Sequence, residues 1–266
     1  MKVDVIIFGG QSNMQGQSPT LNNPFIVKNS FEYKFLTNEL VPLCDPVGEN
    51  IRRDGSIGFD IDGTKPLKET LPDWLQAHAL GASSFGYASL VPSFCKEYAK
   101  PTVAIHCAKG STTIAEWSEG ADGYNLLMKK AKAGILKAKE NFEIDKIWFV
   151  WLQGESDQVE KNSKDYYIDA ITNLKNKLKS ELGIDKFGVI RVGRFTKTEA
   201  DDQIINAQYR VCKTDPDFVM LTEITEQICI NPDNMNPYFK GHYSETGYQK
   251  IGTAAAKGLK KWIENK

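Results

Sequence analysis

Apolar residues in this chain fall into short runs, separated by longer stretches in which apolar and charged positions recur with a helical period. The clearest runs lie at 3–10, 102–108, 146–154, 187–193 and 218–223. They are nearly continuous rather than alternating, which indicates strands that are covered on both faces. Helical patterns lie near 86–99, 123–140, 163–182, 199–213 and 245–264. This alternation predicts an α/β fold with a parallel sheet between two layers of helices.

One long segment, residues 18–85, departs from this pattern. It is rich in Pro, Asn, Asp and Gly and shows little periodicity. Because a loop of this length in a compact domain is usually functional or disordered, we expect an irregular flap beside the functional site. The 266 residues suit a single domain, 1–266, better than two small ones.

Charge and cysteine content narrow the class of protein. Thirty-three basic and thirty-four acidic residues leave a net charge of -1, which gives no electrostatic reason to expect nucleic acid or a membrane as a partner. Five scattered cysteines without a C-x-x-C pair argue against a disulfide framework or a structural zinc site. With no apparent signal peptide and no apolar stretch of membrane-spanning length, these features predict a cytoplasmic protein.

The first strand ends in an unusual polar stretch, "GGQSNMQG", at 9–16. A phosphate-binding loop would need a lysine followed by Ser or Thr, and a dinucleotide site would need G-x-G-x-x-G. The α/β-hydrolase motif G-x-S-x-G also fails, because Met14 stands where its second glycine should be. Two interpretations remain. Ser12 caps a helix, or it is a nucleophile at the strand end, where parallel α/β sheets bind ligands.

A serine nucleophile needs a base, and the chain has three histidines. His78 lies in the predicted flap. His106 lies inside an apolar strand, where a core role is favoured. His242 lies in "FKGHYSETGYQKIG", a loop before the last helix that could return to the strand ends.

Ester hydrolysis also needs hydrogen-bond donors for the oxyanion. The strand at 146–154 runs into "QGESD", which includes Gln153 and Glu155. Gly86 stands at a predicted helix start, where its backbone N–H is free to donate. Helix capping is an equally good interpretation of "QGESD" taken alone.

Four blocks together resemble the SGNH-type hydrolases, and more narrowly the carbohydrate esterase family of acetylxylan esterases and sialate O-acetylesterases. They are "GGQSNMQG", "HCAKGSTTIAEW", "WLQGESD" and "GHYSETGYQKIG", and they span positions 8 to 252 in the expected order. The resemblance implies a three-layer α/β/α sandwich with a flavodoxin-like parallel sheet. It also implies Ser12 as nucleophile and His242 as general base, with no metal or organic cofactor.

The same resemblance implies further site residues. The oxyanion hole would combine the backbone N–H groups of Ser12 and Gly86 with the side chain of Gln153. Residues expected to contact substrate are Gln11, Lys109, Ser111 and Trp117, although plain packing is an equally good interpretation of Trp117.

One position departs from the resemblance. The wider superfamily places an aspartate three residues before the histidine, and this chain has Phe239 there. Loss of such an orienting group can lower turnover about 10⁴-fold. A carboxylate from elsewhere could replace it, with Glu155 the first candidate and Glu223 and Asp233 behind it. Otherwise a backbone carbonyl holds His242, or the site binds sugar without cleaving it.

The function that these residues predict is serine-dependent hydrolysis of an acetyl ester on a small sugar or oligosaccharide, through an acetyl-enzyme. A lipid or thioester hydrolase of the same superfamily is one alternative, although the charge of the flap, as in "IRRDG", argues against an apolar acyl channel. A non-catalytic carbohydrate-binding protein is the other.

Overall fold

The computed structural model describes residues 1–19, 25–35, 37–48, 87–237 and 240–265. The strands are β1 (Lys2–Gly10), β2 (Ser18–Pro19), β3 (Ser30–Lys34), β4 (Glu39–Pro42), β5 (Tyr87–Ala88), β6 (Thr102–Ala108), β7 (Glu143–Leu152), β8 (Lys186–Ile190) and β9 (Phe218–Thr222). The helices are α1 (Ser12–Gln15), α2 (Val91–Tyr98), α3 (Asp122–Asn141), α4 (Glu155–Glu160), α5 (Lys164–Leu182), α6 (Glu199–Thr214), α7 (Thr225–Ile228) and α8 (Glu245–Glu264). Two 3₁₀ turns lie at Ile114–Trp117 and Pro232–Asn234. None of the helices in these described segments is long and apolar enough to cross a bilayer.

Within the described segments, the main sheet has seven strands in the order β4-β3-β6-β1-β7-β8-β9. All neighbouring pairs are parallel except β3 and β4, which form an antiparallel hairpin at one edge. β1 is therefore central, with Gly10 opposite Ala108 of β6 and Leu152 of β7. The carboxyl ends of these three strands meet at one edge of the sheet.

Helices cover both faces of this sheet. Ile7 pairs in register with Ile105, and Ile105 lies against Gly134 of α3. Phe8, the next residue, points to the opposite face and meets Phe94 of α2 edge-on, with 5.3 Å between ring centroids. α8 packs on α2, and α3, α5 and α6 pack in a row. The predicted three-layer α/β/α architecture is confirmed.

The predicted flap at 18–85 is wrong in one part, because β3 and β4 lie within it and complete the main sheet. The apolar pattern of the sequence does not predict β3, because one buried face of this strand carries charged residues. Glu32 and Lys34 are both buried and form an ion pair with 2.8 Å between Nζ and Oε2. Residues 49–86 lie outside the described part of the chain, so the rest of the flap stays a prediction.

Candidate active site

The turn that carries Ser12 begins where β1 ends beside β7. Gly10 has φ +145°, and a Cβ on it would lie 2.0 Å from the carbonyl oxygen of Leu152, so only glycine fits there. The chain then enters the short helix α1, whose first residue is Ser12. The N–H of a residue at a helix start has no acceptor within the helix, so the Ser12 N–H is available to an incoming oxygen.

Gln11 connects this turn to the end of β7. Its Oε1 accepts hydrogen bonds from the backbone N–H groups of Gly154 and Ser156, both at 3.2 Å, and from Nε2 of Gln153 at 3.3 Å. These contacts use the amide oxygen of Gln11. A contact between Gln11 and substrate would therefore come from its amide nitrogen.

A cavity of about 700 Å³ opens over the carboxyl ends of the strands. Ser12, Glu155 and His242 all line it, although they come from widely separated parts of the chain. Of the residues expected to contact substrate, Gln11 and Ser111 also line it. The volume lies within the range of ordinary ligand sites, roughly 300–1,000 Å³. Within the described segments, no group of three or more His, Cys, Asp or Glu side chains is placed to hold a metal ion.

His242 lies in the loop before α8, and its ring orientation is set by the backbone. Its Nδ1 is 3.2 Å from the carbonyl oxygen of Lys240. A carbonyl oxygen only accepts hydrogen bonds, so this contact places the proton on Nδ1. Nε2 is then the nitrogen that can take a proton from a hydroxyl group. The other two histidines differ: His106 is fully buried with Nε2 3.0 Å from the Met14 carbonyl, and His78 lies outside the described residues.

Glu155 supplies a buried carboxyl group to the same cavity. It begins α4 and is 3% exposed. Its Oε1 accepts a hydrogen bond from Nδ2 of Asn13 at 2.8 Å, whereas Oε2 has no hydrogen-bond partner among the described residues. Burial raises the pKa of the Glu155 carboxyl, because the charged form loses its hydration.

Asn13 joins three parts of the site and is a residue that sequence reasoning missed. Besides Glu155, its Nδ2 lies 3.3 Å from the carbonyl oxygen of Gly241, the residue before His242. Its Oδ1 accepts a hydrogen bond from the Tyr248 hydroxyl group at 3.0 Å. Asn13 is 1% exposed, and a buried amide needs internal hydrogen-bond partners, but the sequence does not show that it is buried.

Gln153 lies behind the cavity wall and is fully buried. Its Nε2 donates to the Thr112 carbonyl oxygen at 3.0 Å and to Asp157, and its Oε1 accepts from the Tyr167 hydroxyl group at 3.0 Å. It is not among the described residues that line the cavity. The structure thus places Gln153 in a network that supports the site, and its oxyanion role stays a prediction.

Trp117 and Lys109 are likewise not among the described residues that line the cavity. Trp117 is fully buried and meets Trp151 edge-on, and its indole N–H donates to Oγ1 of Thr112 at 3.1 Å. Packing is therefore the role that the structure shows for Trp117, and a substrate contact would require this wall to open. The backbone N–H of Lys109 donates to the carbonyl oxygen of Gly10 at 2.9 Å. Burial lowers the pKa of the Lys109 amine.

The remaining predicted residues fall outside the site or outside the described chain. Glu223, one candidate partner of His242, pairs instead with Arg191 at 3.3 Å. Asp233 is exposed on the 3₁₀ turn at Pro232–Asn234. Gly86 and Phe239 lie outside the described residues. The helix predicted to start at Gly86 begins instead at Val91, after β5, so the helix-start argument for Gly86 is wrong and its oxyanion contribution stays a prediction from the resemblance.

Comparison with known proteins shows the family of the chain. Residues 2–261 match the family described as carbohydrate esterase, sialic acid-specific acetylesterase. The chain belongs to this family. As a member of this carbohydrate esterase family, the protein is a carboxylic ester hydrolase.

Individual relatives of this carbohydrate esterase are distant in sequence. The probable carbohydrate esterase At4g34215 of Arabidopsis thaliana is 22% identical over 205 residues, which are 77% of this chain and 74% of that protein. The crystal structure of the Arabidopsis thaliana protein AT4G34215 superposes with a TM-score of 0.65 at 14% identity, over 97% of this chain and 98% of that one. The crystal structure of NanS gives a TM-score of 0.55 at 13% identity, over 98% of both chains. At these identities the structural likeness shows the shared fold.

Proposed function

We propose that this carbohydrate esterase removes acetyl groups from a sugar by a serine mechanism, with Ser12 as nucleophile and His242 as general base. The observation that supports the proposal is that Ser12, His242 and Glu155 line one cavity at the carboxyl ends of the strands. A serine, a base and a carboxyl group around a space for substrate form the arrangement that acyl transfer requires.

The proposed reaction has two halves. Nε2 of His242 takes the proton of the Ser12 hydroxyl group while its oxygen attacks the acetyl carbonyl. The tetrahedral intermediate collapses, the sugar oxygen leaves with the proton from His242, and an acetyl group remains on Ser12. Water then loses a proton to His242 and attacks this acetyl-enzyme. The second intermediate releases acetate as the Ser12 oxygen takes that proton back from His242.

Hydrogen-bond donors would stabilise the oxyanion of each intermediate. The N–H of Ser12 lies at the start of α1 without an acceptor in the helix, which supports this role. Gly86 and Gln153 remain the further donors that the sequence predicts.

The Lys240 carbonyl oxygen and Glu155 divide the task that an aspartate performs elsewhere. The carbonyl oxygen fixes the tautomer of His242 through Nδ1. Glu155, in the wall of the same cavity, would stabilise the imidazolium by its charge and position Asn13 beside the nucleophile. This division explains how the site could work with Phe239 at the position of the usual aspartate.

Replacing Glu155 with glutamine tests its part in this arrangement. We expect kcat to fall about tenfold or more, because the imidazolium loses a neighbouring negative charge while the side chain keeps its shape. Acetate release from p-nitrophenyl acetate between pH 5 and 9 measures the effect. If kcat is unchanged across this pH range, Glu155 has no catalytic role.

Thermal unfolding of the same variant separates catalysis from stability. The pKa of Glu155 is raised above its usual value of 4.5 in the folded protein, so the folded state holds the proton more tightly. The resulting stabilisation is complete below pH 4.5 and is lost as pH rises through the raised pKa. We therefore expect the difference between the Tm of Glu155→Gln and the Tm of the wild type to shift in favour of the variant as pH rises. The variant should do so even though its kcat is lower than that of the wild type.

Acyl-chain length distinguishes the proposal from a lipid or thioester hydrolase. The described cavity lining includes the polar residues Glu116, Glu160 and Asn162, which suit a sugar better than a long acyl chain. We expect p-nitrophenyl acetate to be hydrolysed at least about tenfold more efficiently than the butyrate, and the octanoate less still. Equal or higher efficiency with the octanoate would favour the lipid or thioester hydrolase, and no hydrolysis of any ester would favour a binding protein. The glycan, acetylxylan or sialate in type, and the cytoplasmic location stay predictions from the sequence.

A further inference from the structure

The cavity is much larger than the acetyl group that the proposed reaction cleaves. An acetyl group has three heavy atoms, whereas cavities of about 700 Å³ hold ligands of drug size. The remaining space must therefore receive the alcohol part of the ester. The residues around that space include two aromatic side chains that the sequence did not single out, Tyr166 and Phe195.

Tyr166 is held at the start of α5 with its ring exposed. Its backbone N–H donates to Oγ of the helix cap Ser163 at 3.3 Å, which fixes the first turn. The side chain is nevertheless 44% exposed and lines the cavity. An exposed aromatic ring of this size, in the same cavity as the proposed nucleophile, offers a flat surface to a ligand.

Phe195 follows β8 and lies against the loop that carries His242. A Cβ built on Gly241 would lie 2.2 Å from its ring, so the ring and the backbone of this loop are in close contact. Phe195 also lines the cavity and is 38% exposed. Phe195 therefore presents an apolar surface next to the proposed base.

Two exposed carboxylates line the same cavity. Glu116 belongs to the 3₁₀ turn at Ile114–Trp117, and Glu160 is the last residue of α4. Ionised carboxylates only accept hydrogen bonds, and sugar hydroxyl groups can donate them. The same charges repel a ligand that carries its own carboxylate.

We propose that Tyr166 and Phe195 form a binding subsite for the ring of an uncharged acetylated pyranose, whose hydroxyl groups donate to Glu116 and Glu160. The apolar face of the sugar lies on the aromatic rings, and its acetyl ester points to Ser12. The inference rests on the proposed function and narrows it: neutral sugar esters are preferred to esters of sialic acid.

Turnover measurements test the aromatic surface. We compare kcat/KM for acetylated xylobiose with that for ethyl acetate, which has no ring. Tyr166→Ala should lower the ratio of these two values about tenfold, and Tyr166→Phe should restore most of it, because the ring remains. Tyr209→Ala removes a tyrosine of similar exposure, 49%, outside the described cavity lining, and should not change the ratio. An equal loss on both substrates in Tyr166→Ala would overturn the subsite.

The charge of the sugar provides a second test. Wild-type protein should hydrolyse acetylated xylobiose with a higher kcat/KM than O-acetylated sialic acid, and Glu160→Gln should narrow the difference a few-fold at low salt. Sialate hydrolysis that equals or exceeds xylobiose hydrolysis would contradict the proposed preference.

Calorimetric binding keeps this inference separate from the proposed mechanism. Acetylated xylobiose is titrated into Ser12→Ala protein, with and without the Tyr166→Ala substitution. We expect Kd to rise about tenfold when the ring is removed. If Tyr166→Ala weakens binding but the wild type shows no turnover, the esterase mechanism is refuted and the subsite is supported. If the wild type turns over and Tyr166→Ala leaves Kd unchanged, the mechanism is supported and the subsite is refuted.

Discussion

Acetate release falls by about 10⁴-fold or more when Ser12 is replaced by alanine, if Ser12 is the nucleophile. Without the hydroxyl group no acetyl-enzyme forms, and only binding and the oxyanion donors remain. The substitution removes one oxygen from a half-buried residue at a helix start, so the fold should be unaffected. Turnover of p-nitrophenyl acetate, alongside a thermal unfolding curve, measures both expectations.

Ser156→Ala is the matched control for this experiment. Ser156 lines the same cavity, and its contact with Gln11 uses the backbone N–H, which alanine keeps. Wild type and Ser156→Ala should each be labelled once by a serine-directed phosphonate, on Ser12, and Ser12→Ala should not be labelled. The nucleophile assignment would be refuted if Ser12→Ala turned over substrate at the wild-type rate, or if the phosphonate labelled another serine.

Replacing His242 with alanine should cost nearly as much as replacing Ser12. A serine hydroxyl group is a poor nucleophile without a base, and the leaving sugar oxygen also needs the proton that the imidazolium returns. We expect kcat on p-nitrophenyl acetate to fall by about 10⁴-fold or more. If Ser12 and His242 act as a unit, the double variant should be no slower than either single variant.

Added imidazole distinguishes a missing base from a damaged loop. His242 is half-buried and borders the cavity, so alanine leaves a space that a free imidazole can enter. Partial recovery that depends on imidazole concentration, in His242→Ala and not in Ser12→Ala, is the expected result. His242 would have a structural role if the losses of kcat in the two single variants multiplied in the double variant and imidazole restored no activity to His242→Ala.

Asn13 and Gln153 show how far residue patterns could define the site. Both lie in polar blocks that the sequence identified, and both are buried in the structure. The family resemblance assigned the Gln153 side chain to the oxyanion hole and gave Asn13 no role. The structure instead gives Gln153 internal partners and makes Asn13 the link between Glu155 and the histidine loop. The direction of a side chain at a strand end depends on neighbouring strands that are distant in sequence, so local pattern cannot supply it.

Local periodicity determined the main strands and helices of this protein, because each run of apolar residues reports the burial of its own element. It also indicated the polar turns after β1 and β7, from which Ser12 and Glu155 reach the cavity, since polar side chains directly after buried strands need a reason to be there. Tertiary structure alone decided that β1 lies between β6 and β7, and this brings Ser12 and Glu155 to one cavity with His242. It also decided that Glu32 and Lys34 are buried as an ion pair and that Trp117 is packed. These outcomes depend on contacts between segments far apart in the chain, and such contacts leave no period in the sequence.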